Sequence, residues 1–154
     1  MTKEKQNTFS RGPYVQIAAF CERLLREGDG VLSLIRIVDR ITHTEYGPNA
    51  PHDMPEIQYP LTLVLTLKSG TARGRHDITI TPEQPSGETL RPFTQSIMME
   101  GENKGANMVM PINMPYKFEG LYWFNIMFDD QIMTRIPLEV RYTRTIAGQS
   151  TPEP

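Results

Sequence analysis

Residues 120–142, Gly-Leu-Tyr-Trp-Phe-Asn-Ile-Met-Phe-Asp-Asp-Gln-Ile-Met-Thr-Arg-Ile-Pro-Leu-Glu-Val-Arg-Tyr, decide the fold. Tyr122, Phe124, Ile126 and Phe128 alternate with Leu121, Trp123, Asn125 and Met127. The turn residues Asp129-Asp130-Gln131 follow. Beyond them Ile132, Ile136, Leu138, Val140 and Tyr142 share one parity, and Arg135, Glu139, Arg141 and Thr143 share the other. Successive strand side chains point to opposite faces of a sheet. A two-residue period on both sides of turn chemistry therefore predicts a long β-hairpin, and the chain reads as all-β.

Working outward from this hairpin, a first strand is expected from Tyr14 to Cys21, with residues 21–27 either extending it or forming one helical turn. Gly28-Asp29-Gly30 then supplies a reversal. Val31 to Thr42 is apolar on both parities, interrupted by Arg36 and Asp39, and such a strand is expected to be central and covered on both sides. The Tyr46–Pro60 segment carries Pro48, Pro51, Pro55 and Pro60 and is expected to be a loop, because each proline lacks the amide a ladder needs. Leu61, Leu63, Leu65 and Leu67 mark a third strand, which Ser69-Gly70 separates from a fourth over Gly74–Thr81. Two more are expected at Phe93–Glu100 and Asn107–Asn113, joined by a reversal over Gly101–Gly105. About eight short strands at this spacing predict an antiparallel two-sheet β-sandwich. Residues 13–147 form that domain, between a disordered N-terminal arm at 1–12 and a disordered C-terminal tail at 148–154.

At 154 residues the chain can bury a core without disulfides or metals. Its net charge of −2 supplies no general attraction for nucleic acid or an anionic membrane. Apolar runs fall far short of the ~20 residues of a membrane helix. The polar start Met-Thr-Lys-Glu-Lys lacks the apolar stretch of a signal peptide. Cys21 is the single cysteine, so no internal disulfide is possible, and a cytoplasmic location is expected.

Two resemblances add to this reading. Gly120-x-Tyr122-x-Phe124 resembles the tyrosine corner of immunoglobulin-like sandwiches, which implies that the Tyr122 hydroxyl bonds back to upstream backbone. Phe124 stands where antibody domains carry a disulfide cysteine, so the likeness is to the architecture. The segments Ala19-Phe-Cys21 and Leu32-Ser-Leu-Ile-Arg-Ile-Val-Asp39-Arg-Ile41, with the Gly-x-Tyr-x-Phe hairpin, are similar to an uncharacterised bacterial family over about Tyr14–Tyr142. Arg36 occupies a position where that pattern commonly has a small residue. Membership implies a fold and no activity.

Chemistry is sparse. Cys21 lies on the apolar Val15-Ile17-Ala19 parity and reads as a packing thiol. His43, Glu45, His52 and Asp53 supply nitrogen and oxygen donors of the kind zinc accepts, but their spacing matches no zinc signature. They are the metal or small-ligand alternative. No Gly-x-Ser-x-Gly elbow or phosphate loop is present, so no catalytic residue, enzyme activity or cofactor is expected. If Tyr122, Phe124 and Ile126 point inward, Trp123 points outward beside Leu121 and Met127, flanked by Arg135 and Arg141. These five residues are the candidate interface. Nine methionines, seven of them in the second half, read as core filler or as a soft docking face. The expected function is a non-enzymatic interaction or structural module that meets a protein partner or a second copy of itself.

Overall fold

A computed structural model describes residues 9–146. Its strands are β1 (Tyr14–Arg26), β2 (Leu32–Val38), β3 (Arg40–Tyr46), β4 (Ile57–Gln58), β5 (Leu61–Glu83), β6 (Phe93–Ile112), β7 (Pro115–Tyr116), β8 (Gly120–Phe128) and β9 (Gln131–Thr145). The described residues contain no helix, and so none long and apolar enough to cross a membrane. The tail expected at 148–154 lies outside the described residues, as does most of the arm expected at 1–12. Residues 9–12 lie against the sandwich. The Phe9 and Tyr14 rings meet edge-on, and the Thr71 amide donates to the Arg11 carbonyl at 3.2 Å.

β5 and β6 organise the molecule. They pair antiparallel from Leu61↔Ile112 to Ile80↔Phe93. On the other edge of β5 the first half pairs with β1 and the second half with β8. β2 extends the β1 side, and β9 and then β3 extend the β8 side. One hydrogen-bonded sheet thus folds into two layers, β2-β1-β5-β6 and β6-β5-β8-β9-β3, which share the β5–β6 ladder. Phe20 of β1 and Phe124 of β8 pack ring edge to face at 4.7 Å between them. Leu63, Leu65, Leu67, Ile78, Ile80, Tyr122, Phe124, Ile126 and Leu138 are fully buried in this core. Met54, Met99, Met108, Met110 and Met114 are also buried, so methionine is mainly core filler, with Met98 exposed.

The crease between the layers lies at Ser69-Gly70 and Gly101-Glu102. The sequence pattern predicts a strand break at Ser69-Gly70 and a reversal over Gly101–Gly105. Instead the strands continue through them with register shifts around Gly70. Positive φ at Gly70 (58°), Gly74 (84°), Gly101 (87°) and Glu102 (57°) bends and twists the ladder, as a β-bulge does. Ser69, fully buried, staples the crease. Its hydroxyl donates to the Lys104 carbonyl at 2.9 Å and accepts the Glu100 amide at 3.3 Å.

The Val31–Thr42 run is not a central strand. It divides at Asp39 into β2 and β3, which lie at opposite ends of the strand order. The chain passes from one layer to the other there without reversing, so β3 meets β9 in parallel, Arg40↔Glu139 through Tyr46↔Thr145. The sandwich is therefore mixed rather than wholly antiparallel. β2 is apolar on both parities for another reason. Leu32 and Leu34 line a cleft of about 460 Å³ together with Ile17, Thr66 and Asn107 of the outer sheet face. The β1–β2 hairpin therefore curls back over that face, bending where Arg36 takes a φ of 54° and pairs with Glu22 at 3.0 Å. Cys21 and Val64 are buried completely although their neighbours Phe20, Leu63 and Leu65 point into the core.

The closing hairpin is as expected, with one shift. A bulge between Ile126 and Met127 puts Met133 against the core and leaves Ile132 63% exposed. At its start the tyrosine corner forms. The Tyr122 hydroxyl donates to the Phe118 carbonyl at 3.1 Å and accepts the Phe118 amide at 3.2 Å. The fold class expected from the sequence, an all-β sandwich, is the observed one, with the β3–β9 pair parallel.

Candidate functional site

The outer face of the second layer holds the expected interface residues. β8 projects Leu121, Trp123, Asn125 and Met127 outward, opposite Glu139, Pro137, Arg135 and Ile132 of β9. Glu83 of β5 stands across Trp123 on the other side. Trp123 is half-buried, and the Arg135 guanidinium carbon lies 4.5 Å from its ring centroid, a cation–π contact. That guanidinium is itself fixed. Its Nε donates to Asn125 Oδ1 at 2.6 Å, and its Nη2 lies 3.5 Å from Glu83 Oε2. Asn125 Nδ2 donates to the same Glu83 oxygen at 3.3 Å, closing the ring of contacts.

Arg141 is engaged as well. Its Nε donates to Glu139 Oε1 at 2.6 Å, while Arg40 Nε donates to Glu139 Oε2 at 3.0 Å. The Arg141 and then the Arg40 hydrogen bonds hold the Glu139 carboxyl below its ordinary range. Each of these arginines is thus paired, Arg135 with Glu83 and both Arg141 and Arg40 with the shared Glu139. Leu121 and, at the tyrosine corner, Phe118 are 43% and 52% exposed and supply the apolar part of this end.

The four possible metal ligands do not converge. His43 Nε2 meets Glu45 Oε1 at 2.9 Å on β3, and His52 Nδ1 meets Asp53 Oδ1 at 3.0 Å in the proline-rich loop. That loop does fold back, since the Tyr142 hydroxyl donates to the Pro51 carbonyl at 2.7 Å and the Tyr142 ring stacks on His43. Even so, the described residues contain no group of three or more His, Cys, Asp or Glu side chains arranged to hold a metal. Cys21 is buried and burial pushes its thiol up, away from a reactive thiolate.

A third histidine forms a clasp that the sequence reading missed. His76 Nδ1 meets Asp129 Oδ2 at 2.8 Å and its Nε2 meets the Arg73 carbonyl at 2.8 Å, with the ring stacked on Phe128 at 4.5 Å. The Asp129 hydrogen bond, reinforced by the Arg73 carbonyl and opposed by partial burial, raises His76. Reciprocally, His76 lowers Asp129. Asp129 Oδ1 also accepts the Asp77 amide at 3.1 Å, so the clasp ties the β8–β9 turn to β5. Only the pairing register brings residues 53 positions apart together.

One buried group is unsatisfied. Tyr116 and Tyr122 are both fully buried with rings 5.2 Å apart and edge-on, yet the Tyr116 hydroxyl has no hydrogen-bond partner among the described residues. Burial, with the nearby Tyr122 adding to it, pushes the Tyr116 phenol far up.

Sandwich, tyrosine corner and strand pattern together define a β-sandwich domain without a recognisable catalytic centre among its described residues. Residues 16–141 match the model of a family of unknown function, DUF6941, and the chain belongs to that family. No curated protein matches it. Among solved structures it is similar to an immunoglobulin-like protein from Pseudomonas aeruginosa, at 12% identity and a TM-score of 0.40, over 85% of this chain and 98% of that one.

Proposed function

We propose that the domain is a non-enzymatic protein-interaction module of a reducing cytoplasm, docking a protein partner on the outer β8–β9 face through Leu121, Trp123 and Met127. The observation that carries this reading is the held indole. Arg135, itself held by Asn125 and Glu83, stacks on Trp123 on the outside of a sheet whose other face is the core. A large aromatic already ordered before binding loses little rotamer entropy on contact, and Trp and Arg are the commonest interface anchors. The test is recovery of partners from the source cell with wild type and with Trp123→Asp. Loss of a specific partner is expected, and unchanged recovery refutes the proposal.

A further inference from the structure

We propose that His76 is a proton-operated latch: as an imidazolium it pins the β8–β9 turn to β5, and loss of its proton loosens that turn and one wall of the adjoining cleft. The geometry requires the charged form. Nδ1 lies 2.8 Å from Asp129 Oδ2, and Nε2 lies 2.8 Å from the Arg73 carbonyl oxygen. A backbone carbonyl and an ionised carboxylate only accept, and the His76 and Asp77 hydrogen bonds keep Asp129 ionised. A neutral imidazole has one N–H and one lone pair, so it satisfies one partner and turns its lone pair on the other. Only the imidazolium donates to both. Turning the ring over offers no escape, since it puts a carbon in place of a nitrogen at each contact.

The charges that act on His76 are both anionic. Asp129 faces it from the β8–β9 turn, and Asp77 adjoins it on β5. β6 places the uncharged Ile97 opposite His76 and Ser96 opposite Asp77, with the Ser96 hydroxyl donating to Asp77 Oδ1 at 2.8 Å. β8 contributes the Phe128 ring, stacked on the imidazole at 4.5 Å. The Arg73 guanidinium is engaged elsewhere, donating to the Glu100 carbonyl at 3.0 Å and lying 3.9 Å from Glu102. Partial burial opposes the charge, but the Asp129 hydrogen bond outweighs it, so the ring keeps its proton above the ordinary histidine value of 6.5.

The latch acts where the ladder ends. β5 and β8 pair only as far as Ile78↔Phe128, so the turn beyond depends on its contacts with His76 and Asp77. Asp129 takes a left-handed φ of 50° there. Its amide donates to the Asp77 carbonyl at 2.8 Å, and its Oδ1 accepts the Asp77 amide at 3.1 Å. Phe128 also lines a cleft of about 570 Å³ with Ile132 and Met133 of β9, opposite Pro13 and Val15 at the start of β1. Deprotonation sets a lone pair against an oxygen on one side of the ring. That weakens the hold on Asp129 or on the Arg73 carbonyl, and with it the Phe128 wall. The held state therefore lies below the folded-state value of His76, and the loosened state above it.

The latch does not rest on the docking face proposed above, and magnetic resonance on the full chain across roughly pH 5–9 tests it. Nitrogen spectra of the imidazoles, assigned with His76→Asn, should show both His76 ring nitrogens protonated at the acid end and a midpoint above 6.5. Exchange protection of the Asp77 and Asp129 amides, corrected for intrinsic rates, should fall about tenfold through that midpoint. The Met133 methyl should shift with it, while the buried Met108 methyl of the first layer stays in place. Asp129→Asn keeps an acceptor but no charge, so it should bring the His76 midpoint down toward 6.5, with the fall in protection following it. His76→Asn should abolish the step. A His76 that is neutral at the acid end, amide protection level through its midpoint, a midpoint indifferent to Asp129→Asn, or a step that persists in His76→Asn overturns the proposal.

Discussion

Two neighbouring phenols make opposite predictions from one physical rule. Tyr122→Phe removes the hydroxyl that both donates to and accepts from Phe118. Each bond contributes about 0.5–1.5 kcal/mol net. Phe118 is half exposed, so water recovers part of the loss. The expected destabilisation is thus about 1–2 kcal/mol, which lowers the melting temperature by roughly 3–8 °C for a domain of this size. Tyr116→Phe removes a hydroxyl that is buried without a partner. It should be neutral or stabilising by up to about 1 kcal/mol, because the folded state no longer desolvates an unpaired group. Both changes keep the ring and delete a single oxygen, so cavity effects are small. Equilibrium urea unfolding of each variant and of the double variant measures the two free energies. Since the rings touch, a small deviation from additivity is expected. A Tyr116→Phe variant as destabilised as Tyr122→Phe would refute the reasoning.

The His76–Asp129 clasp gives a pH prediction. His76 is raised above its ordinary 6.5, so its contribution is complete below that value and fades as pH rises through the folded value. Asp129 is lowered below 3.8, so its contribution is present above that value and fades as pH falls through the folded value. The stability difference between wild type and His76→Asn, followed by thermal unfolding, should peak between these limits and shrink in alkali. A difference flat from acid to alkali excludes the clasp. Gly70→Ala should destabilise by about 2 kcal/mol or more in urea unfolding, combining unfavourable left-handed geometry with a clash. Its φ is 58°, and a Cβ there runs into the Arg11 carbonyl and the Tyr14 ring. Wild-type stability in that variant would show that the crease tolerates a side chain. Cys21 should resist a thiol reagent in the native state and react on unfolding, and prompt native labelling would contradict its complete burial.

Local pattern carried much of the fold. The parity of Tyr122, Phe124 and Ile126 defined a buried face, and from it the outward position of Trp123 followed directly. Leu61–Leu67 likewise read correctly as an inward row. What local pattern cannot carry is the identity of a strand's neighbour. Gly70 and Gly101 have positive φ whether the chain reverses or bulges, and only the continued pairing of β5 with β6 distinguishes the two. Nothing in the apolar Val31–Thr42 run marks Asp39 as a crossing between layers. The Arg135–Trp123 stack depends on register across a bulged hairpin. The His76 clasp had a faint signal, an aspartate in the turn facing a histidine-bearing strand, but the pairing partner was unknown.

The shared ladder has a consequence for how the molecule comes apart. Most two-layer sandwiches are joined mainly by side chains, so one layer can in principle loosen while the other persists. Here the same pair of long strands serves both layers, and Ser69 pins it midway. Losing either layer frays the backbone of the other, so melting should proceed in a single step with no half-folded species.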